Sequence, residues 1–259
     1  IGGFIFYEAL IKSPLQKSPK IFGAILFAGL IFAAYALGEI FSDRAAYLHV
    51  GALIGSIMVG NVFFGIMPAQ RELVRAIEAG EKPDARPAQF AKLRSTHNNY
   101  FTLPLIFIMI SNHYPMTYGH EHAWLILALI SFNAAFVRHY FNLKHQGQHK
   151  PWILVAGLVF LFGIIGYMLP KPVDMTDTPM SDAEIVEISQ QRCASCHAAK
   201  PTQAGFAAAP AGIMLESIDQ LVANKSRILQ AVQSNYMPLA NMTNMTEDER
   251  SQMVRWASE

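Results

Sequence analysis

Apolar residues run in long blocks over the first two thirds of the chain. Ile21 to Phe41, Tyr47 to Met67, Ala123 to Phe141 and Trp152 to Leu169 are each apolar for close to the ~20 residues that cross a bilayer core. They predict transmembrane helices. Phe101 to Asn112 is too short alone and must extend through Asn98-Asn99-Tyr100 or through His113-Tyr114, a membrane helix with polar ends. Ile1 to Ile11 reads as the end of another apolar helix, with no initiator methionine and no signal-peptide pattern. A chain whose beginning is missing is expected. After Leu169 the pattern changes. Pro170 to Pro179, carrying three prolines among Thr and Asp, reads as a linker. Ser181-Asp182-Ala183-Glu184 is a capping box that opens a helix, and Thr246 with Glu249 is a second. The expected fold is all-α: a multi-helix transmembrane bundle over residues 1–169, a linker at 170–180, and a small helical domain at 181–259. By size that last domain is marginal without a cofactor in its core.

Composition supports this reading. The chain is 52% hydrophobic and 15% charged, with a formal net charge of +1, unlike an ordinary soluble protein. That charge balance gives no ground for a nucleic-acid partner. The basic residues also carry topology. Lys12, Lys17 and Lys20 mark the first loop, Arg71, Arg75, Lys82, Arg86, Lys92 and Arg94 the third, and Lys144 and Lys150 the fifth. The alternate loops hold only Arg44. The positive-inside rule makes the basic loops cytoplasmic, so the segment after Leu169 emerges on the outer face.

The sharpest motif lies in that segment. Cys193-Ala194-Ser195-Cys196-His197 is the c-type haem attachment signature: two thiols form thioethers and the histidine ligates iron. It uses both cysteines of the chain. A thioredoxin-like dithiol would need a βαβ context, which the flanking sequence lacks. His/Met ligation is the usual pairing for cytochromes c, and Met237, followed by the stiffening Pro238, is the expected second ligand. An amphipathic stretch from Arg227 to Gln233 delivers it. Met242 and Met245 are its rivals, while Met253 falls inside a helical pattern. A c-type haem is attached in the periplasm of bacteria, so topology and motif agree on a multi-pass protein of the bacterial cytoplasmic membrane.

Polar groups inside bilayer segments are costly and are by default functional candidates. Glu39, His49, Asn112 and His113 fall near the outer face; Arg94, His97, Asn98, Asn99, Arg138 and His139 fall near the inner face. Asn61 and Asn133 lie between them and read as interhelical glue. His120, His122, His145 and His149 read as solvated loop residues.

The run from Arg94 to Pro104, continuing to Ile110-Ser111-Asn112-His113-Tyr114-Pro115, is dense in such side chains. It resembles the bacterial membrane-integral urate oxidases (urate hydroxylases), which join a multi-helix membrane domain to a C-terminal cytochrome c. The resemblance also covers Ser42 to Gly51, Asn61-Val62-Phe63 with Pro68-Ala69-Gln70-Arg71, Arg138 to Leu143, and the haem segment. The resemblance implies that the family's first membrane helices precede Ile1. The resemblance implies a class I-like cytochrome c domain and oxidation of urate to 5-hydroxyisourate, with electrons passing to haem c. A soluble cytochrome c or a terminal oxidase would then be the acceptor. Urate is a planar anion at neutral pH, which arginine can pair bidentately and asparagine can meet with donor and acceptor together. Arg94, Asn98 and Asn99 are expected to orient the ring, with His97 handling protons.

His97 and His113 would stand about 24 Å apart on a continuous helix. Either the substrate site is the outer cluster that includes His49 and His113, or an intermediate centre lies between, such as a haem b held by those two histidines. The rival function is a membrane-anchored cytochrome c subunit of a quinol-oxidising respiratory complex.

Overall fold

Asp84 begins the longest regular helix of the chain by accepting a hydrogen bond from the Arg86 amide at 3.0 Å. That helix, α5 (Ala85–Ile110), runs unbroken through Pro104 to the short turn Ser111–His113. The computed structural model describes residues 1–169 and 180–259, so most of the expected linker lies outside the described residues. Among the described residues the chain is helical and has no strand.

The first compact unit comprises Ile1–Tyr118 and His122–Tyr167. It contains α1 (Gly2–Lys12), α2 (Pro19–Ile40), α3 (Asp43–Asn61), α4 (Met67–Glu78), α5, a short α6 (Pro115–Tyr118), α7 (Ala123–His145) and α8 (Trp152–Met168). A π-turn, Val62–Ile66, joins α3 to α4, so Asp43 to Glu78 forms one long helical path. Three helical paths are long and apolar enough to cross a membrane, Pro19–Ile40, Asp43–Glu78 and Ala123–His145, which is consistent with a membrane protein. The core between helices is closed by Tyr7, Phe22, Tyr47, Ile54, Ile57 and Ile108. Outward faces stay apolar: Phe32 is 72% and Phe64 73% exposed, a surface suited to hydrocarbon rather than water.

The sequence expectation of a basic loop from Arg71 to Arg94 is corrected. Arg71 and Arg75 lie on α4, and Arg86, Lys92 and Arg94 lie on α5. Helices continue past the apolar block because an amphipathic turn is stable outside the hydrocarbon, which hydropathy does not register. His122 also departs from a purely solvated reading, since the Tyr167 hydroxyl lies 3.2 Å from its Nδ1.

The second unit comprises Gly119–Glu121 and Met168–Glu259. Its helices are α9 (Asp182–Arg192), α10 (Ile218–Ala223), α11 (Lys225–Gln233) and α12 (Glu247–Ser258). Both capping boxes form as expected, at Ser181/Glu184 and Thr246/Glu249. Its core collects Ile185, Ile188, Leu221, Ile228, Val232, Met245, Met253 and Trp256.

Candidate functional site

Arg94, His97 and Asn98 fall at i, i+3 and i+4 on α5, so they share one helical face. That face meets α1 and α3. Arg94 is 2% exposed, and its Nη1 donates to a Glu8 carboxylate oxygen and, at 2.8 Å, to Asn61 Oδ1. Asn61 is fully buried and passes the network on, donating Nδ2–H to Asn98 Oδ1 at 2.8 Å. Asn98 donates in turn to the Met58 carbonyl at 3.0 Å. Beside this chain of amides, the Tyr7 hydroxyl sits 2.8 Å from His97 Nδ1, and Phe22 stacks on the imidazole at 4.6 Å. The histidine is thereby held in plane and engaged on one nitrogen.

Gly65, in the π-turn, makes room for this arrangement. A Cβ there would stand 2.4 Å from Arg94 Cδ and 2.7 Å from its Nε. That Nε is buried with no hydrogen-bond partner. Arg94 also lines a cleft of about 650 Å³ together with Glu8 and Lys12 of α1, Phe64 of the π-turn, Glu72 of α4 and Phe90 of α5. The guanidinium carbon lies 4.9 Å from the Phe90 ring centroid.

The remaining candidates sit elsewhere. Asn99, one residue past Asn98, is turned about 100° away from the face that carries the network. Near the other end of the bundle, His49 is exposed, stacks on Phe41 at 4.6 Å and has Nδ1 2.7 Å from the Ala45 carbonyl. His113 is exposed in its turn, and Asn112 accepts from Arg44 Nε at 2.8 Å. No hydrogen bond or ring contact joins His49 to His113. Glu8, Tyr7 and Asn61 are the network members that sequence reasoning missed or gave a bland role. The adjacent Tyr7-Glu8 pair inside an apolar helix was the available signal.

In the second unit, α9 ends at Arg192 and the chain turns sharply. The Cys193 carbonyl accepts from the Cys196 amide at 3.1 Å and the His197 amide at 2.9 Å. The two cysteines form no disulfide with each other. Burial pushes the Cys193 thiol up to about 11, the reverse of the depressed thiolate of a dithiol redox motif. His197 Nδ1 lies 2.9 Å from the Ile213 carbonyl, and the His197 carbonyl accepts from the Leu215 amide at 2.8 Å. Met237 is pinned through its backbone: its amide donates to Ala231 at 3.0 Å, and its carbonyl accepts from Arg250 Nη1 at 2.8 Å. Of the other methionines, Met245 and Met253 are packed in the core, while Met214 and Met242 are exposed. Among the described residues no group of three or more His, Cys, Asp or Glu side chains could hold a metal ion. A haem iron draws four of its ligands from porphyrin and does not need such a group.

No curated protein and no solved structure matches the chain. The family model described as urate oxidase N-terminal matches residues 1–169, the whole first unit and its outgoing residues. With its polar face on α5 inside that match, the chain belongs to the urate oxidase N-terminal family.

Proposed function

We propose that this protein oxidises urate to 5-hydroxyisourate in the bacterial cytoplasmic membrane, passing electrons to a covalently attached haem c in its periplasmic C-terminal domain. The family match supports urate-related oxidation and an oxidoreductase. The observation that carries the site assignment is the buried chain Glu8–Arg94–Asn61–Asn98 with the Tyr7–His97 pair beside it.

The reaction adds water and removes two protons and two electrons: urate and water give 5-hydroxyisourate, two protons and two electrons. Arg94, which lines the cleft, pairs with the urate anion, and Asn98 steadies it through Asn61, the amide that holds Arg94 Nη1. In the tautomer whose Nδ1–H donates to the Tyr7 oxygen, His97 can take a proton on Nε2. Asn99, His49 and His113 stand outside this scheme, and no step is routed through a haem b.

The second unit's donor set fits a haem c. Cys193 and Cys196 would carry the thioethers. His197, with Nδ1 tied to the Ile213 carbonyl, would ligate the iron through Nε2, and Met237 through its thioether. When bound, that haem would supply one-electron transfer toward a soluble cytochrome c or a terminal oxidase.

The test is anaerobic. Urate is added to membranes holding the oxidised protein, and the reduced haem α-band is followed. Prompt reduction, lost in Cys193→Ser and slowed by orders of magnitude in His97→Ala, is expected. Reduction by a quinol but not by urate would make the protein a respiratory electron carrier instead.

A further inference from the structure

The cleft beside Arg94 carries an unbalanced charge. Its lining holds four charged side chains: Glu8, Lys12, Glu72 and Arg94. Glu72 is met by Arg75 at 3.1 Å, outside the lining. Glu8 alone faces two cations, Lys12 at 2.9 Å and Arg94 at shorter range. One positive charge is left over in an otherwise apolar recess. The second observation is geometric. Arg94 is almost wholly enclosed, yet its Nε has no hydrogen-bond partner, so one edge of the guanidinium is desolvated and unmet. The third is shape. Phe4, Phe64 and Phe90 supply rings to the lining, Phe4 and Phe64 lying 5.6 Å apart, and about 650 Å³ is ample for a flat bicyclic molecule.

We infer that this cleft takes a planar monoanionic heterocycle, and that Glu8 is the carboxylate that occupies Arg94 until the ligand displaces it. This rests on the urate reading above, and adds to it a location between α1, the π-turn, α4 and α5, lined by Arg94 with His97 and Asn98 outside the lining, and a residue that sets affinity. Glu8 is suited to yielding because Lys12, four residues on along α1, remains its partner once Arg94 turns to the ligand. The exchange replaces one carboxylate-like pair by another, so Arg94 is never left as a lone buried charge, which would be strongly destabilising. Ligand anions therefore compete with an internal anion. Affinity is lowered by that competition, and selection falls on ligands that are both flat and singly negative. A neutral oxopurine offers the same outline without the charge that displaces Glu8.

Equilibrium binding of radiolabelled urate to membranes holding the full chain, kept anaerobic and fully reduced so that no turnover occurs, tests this directly. Glu8→Gln keeps the side chain's shape and its carbonyl for Arg94 while removing the competing charge. It is expected to lower the urate Kd by about tenfold, equal to about 1.4 kcal/mol, and to leave hypoxanthine, a neutral probe, unchanged. Lys12→Gln, at a side chain that is 70% exposed and remote from the core, is expected to raise the urate Kd about threefold, the scale of one exposed charge. Weaker or equal urate binding in Glu8→Gln, with wild-type binding intact, makes Glu8 a structural counter-ion and overturns the inference alone. If Glu8→Gln fails to accumulate in membranes, an unchanged Kd in Lys12→Gln overturns it by itself. No urate binding by the wild type overturns the urate reading, and this inference with it.

Discussion

The hydroxyl of Tyr7 lies 2.8 Å from Nδ1 of His97, across 90 residues of sequence and between two helices that pack through Phe22. The contact engages Nδ1 and fixes the ring; in the tautomer whose Nδ1–H donates to the hydroxyl oxygen, Nε2 is left free as a base. Tyr7→Phe keeps the ring packed against Phe22 and removes only the hydroxyl. Its expected signature is a fall of roughly tenfold in kcat for urate-driven haem reduction, the scale of one lost hydrogen bond. KM should barely move. A parallel rise in KM would mean that the hydroxyl shapes the binding cavity rather than the proton-handling histidine.

Gly65→Ala probes the π-turn. The added methyl would stand 2.4 Å from Arg94 Cδ, so the arginine must swing from its position between Glu8 and Asn61. The expected result is a rise in urate KM of about tenfold, as a bidentate contact is lost, with the chain still accumulating in membranes. Unchanged KM would show that Arg94 can serve the substrate from another rotamer.

Arg250 ties the methionine loop to the last helix. Its Nη1 donates at 2.8 Å to both the Val232 and Met237 carbonyls, and the side chain is 8% exposed. Arg250→Ala removes the side-chain donor to the Met237 carbonyl and leaves the Val232 carbonyl with the Asn235 amide alone, at 3.2 Å. Thermal unfolding of the second unit should move down by roughly 10 °C, from a loss of about 2 kcal/mol. If the proposed haem is ligated by Met237, the methionine-to-iron absorption of the oxidised protein should weaken with it. An intact band at reduced Tm would separate the loop's stability from the ligand's placement.

Acid sensitivity of the same domain follows from Glu249. Burial alone would raise its carboxyl, but the fork of Arg192 at 2.9 to 3.0 Å and the Thr246 amide and hydroxyl outweigh it, so the group titrates below its ordinary value of 4.5. A depressed carboxyl stabilises the fold above pH 4.5, and that stabilisation drains as pH falls through the lower folded value. Glu249→Gln preserves the capping box but not the charge. It should cost about 1 kcal/mol at neutral pH, the partly exposed pair being worth no more, and flatten the acid limb. Amide hydrogen exchange over residues 180–259 as a function of pH checks both parts.

Much of the first unit's helix content is legible locally because a bilayer-length apolar block can satisfy its backbone only as helix. The two capping boxes are equally local, each needing only residues three apart, and both form. The amphipathic run before Met237 became α11 (Lys225–Gln233) for the same reason. The Cys193–His197 motif is likewise a single turn of chain, readable without any fold.

The polar network was only half visible. Arg94, His97 and Asn98 stood out as polar residues at the edge of an apolar run, but nothing local separated Asn98 from Asn99. That choice was made by the packing of α1 and α3 against one side of α5, which takes Asn98 to Asn61 and rotates Asn99 away. Glu8 looked like a charge at a helix end and Asn61 like interhelical glue, until helices 33 and 86 residues apart placed both on one guanidinium. Sequence by itself determined which segments are helices, because that depends on neighbours along the chain. Only the tertiary structure decided which buried charge faces which partner, because an ion pair in an apolar interior is settled by distance in space and the low dielectric around it.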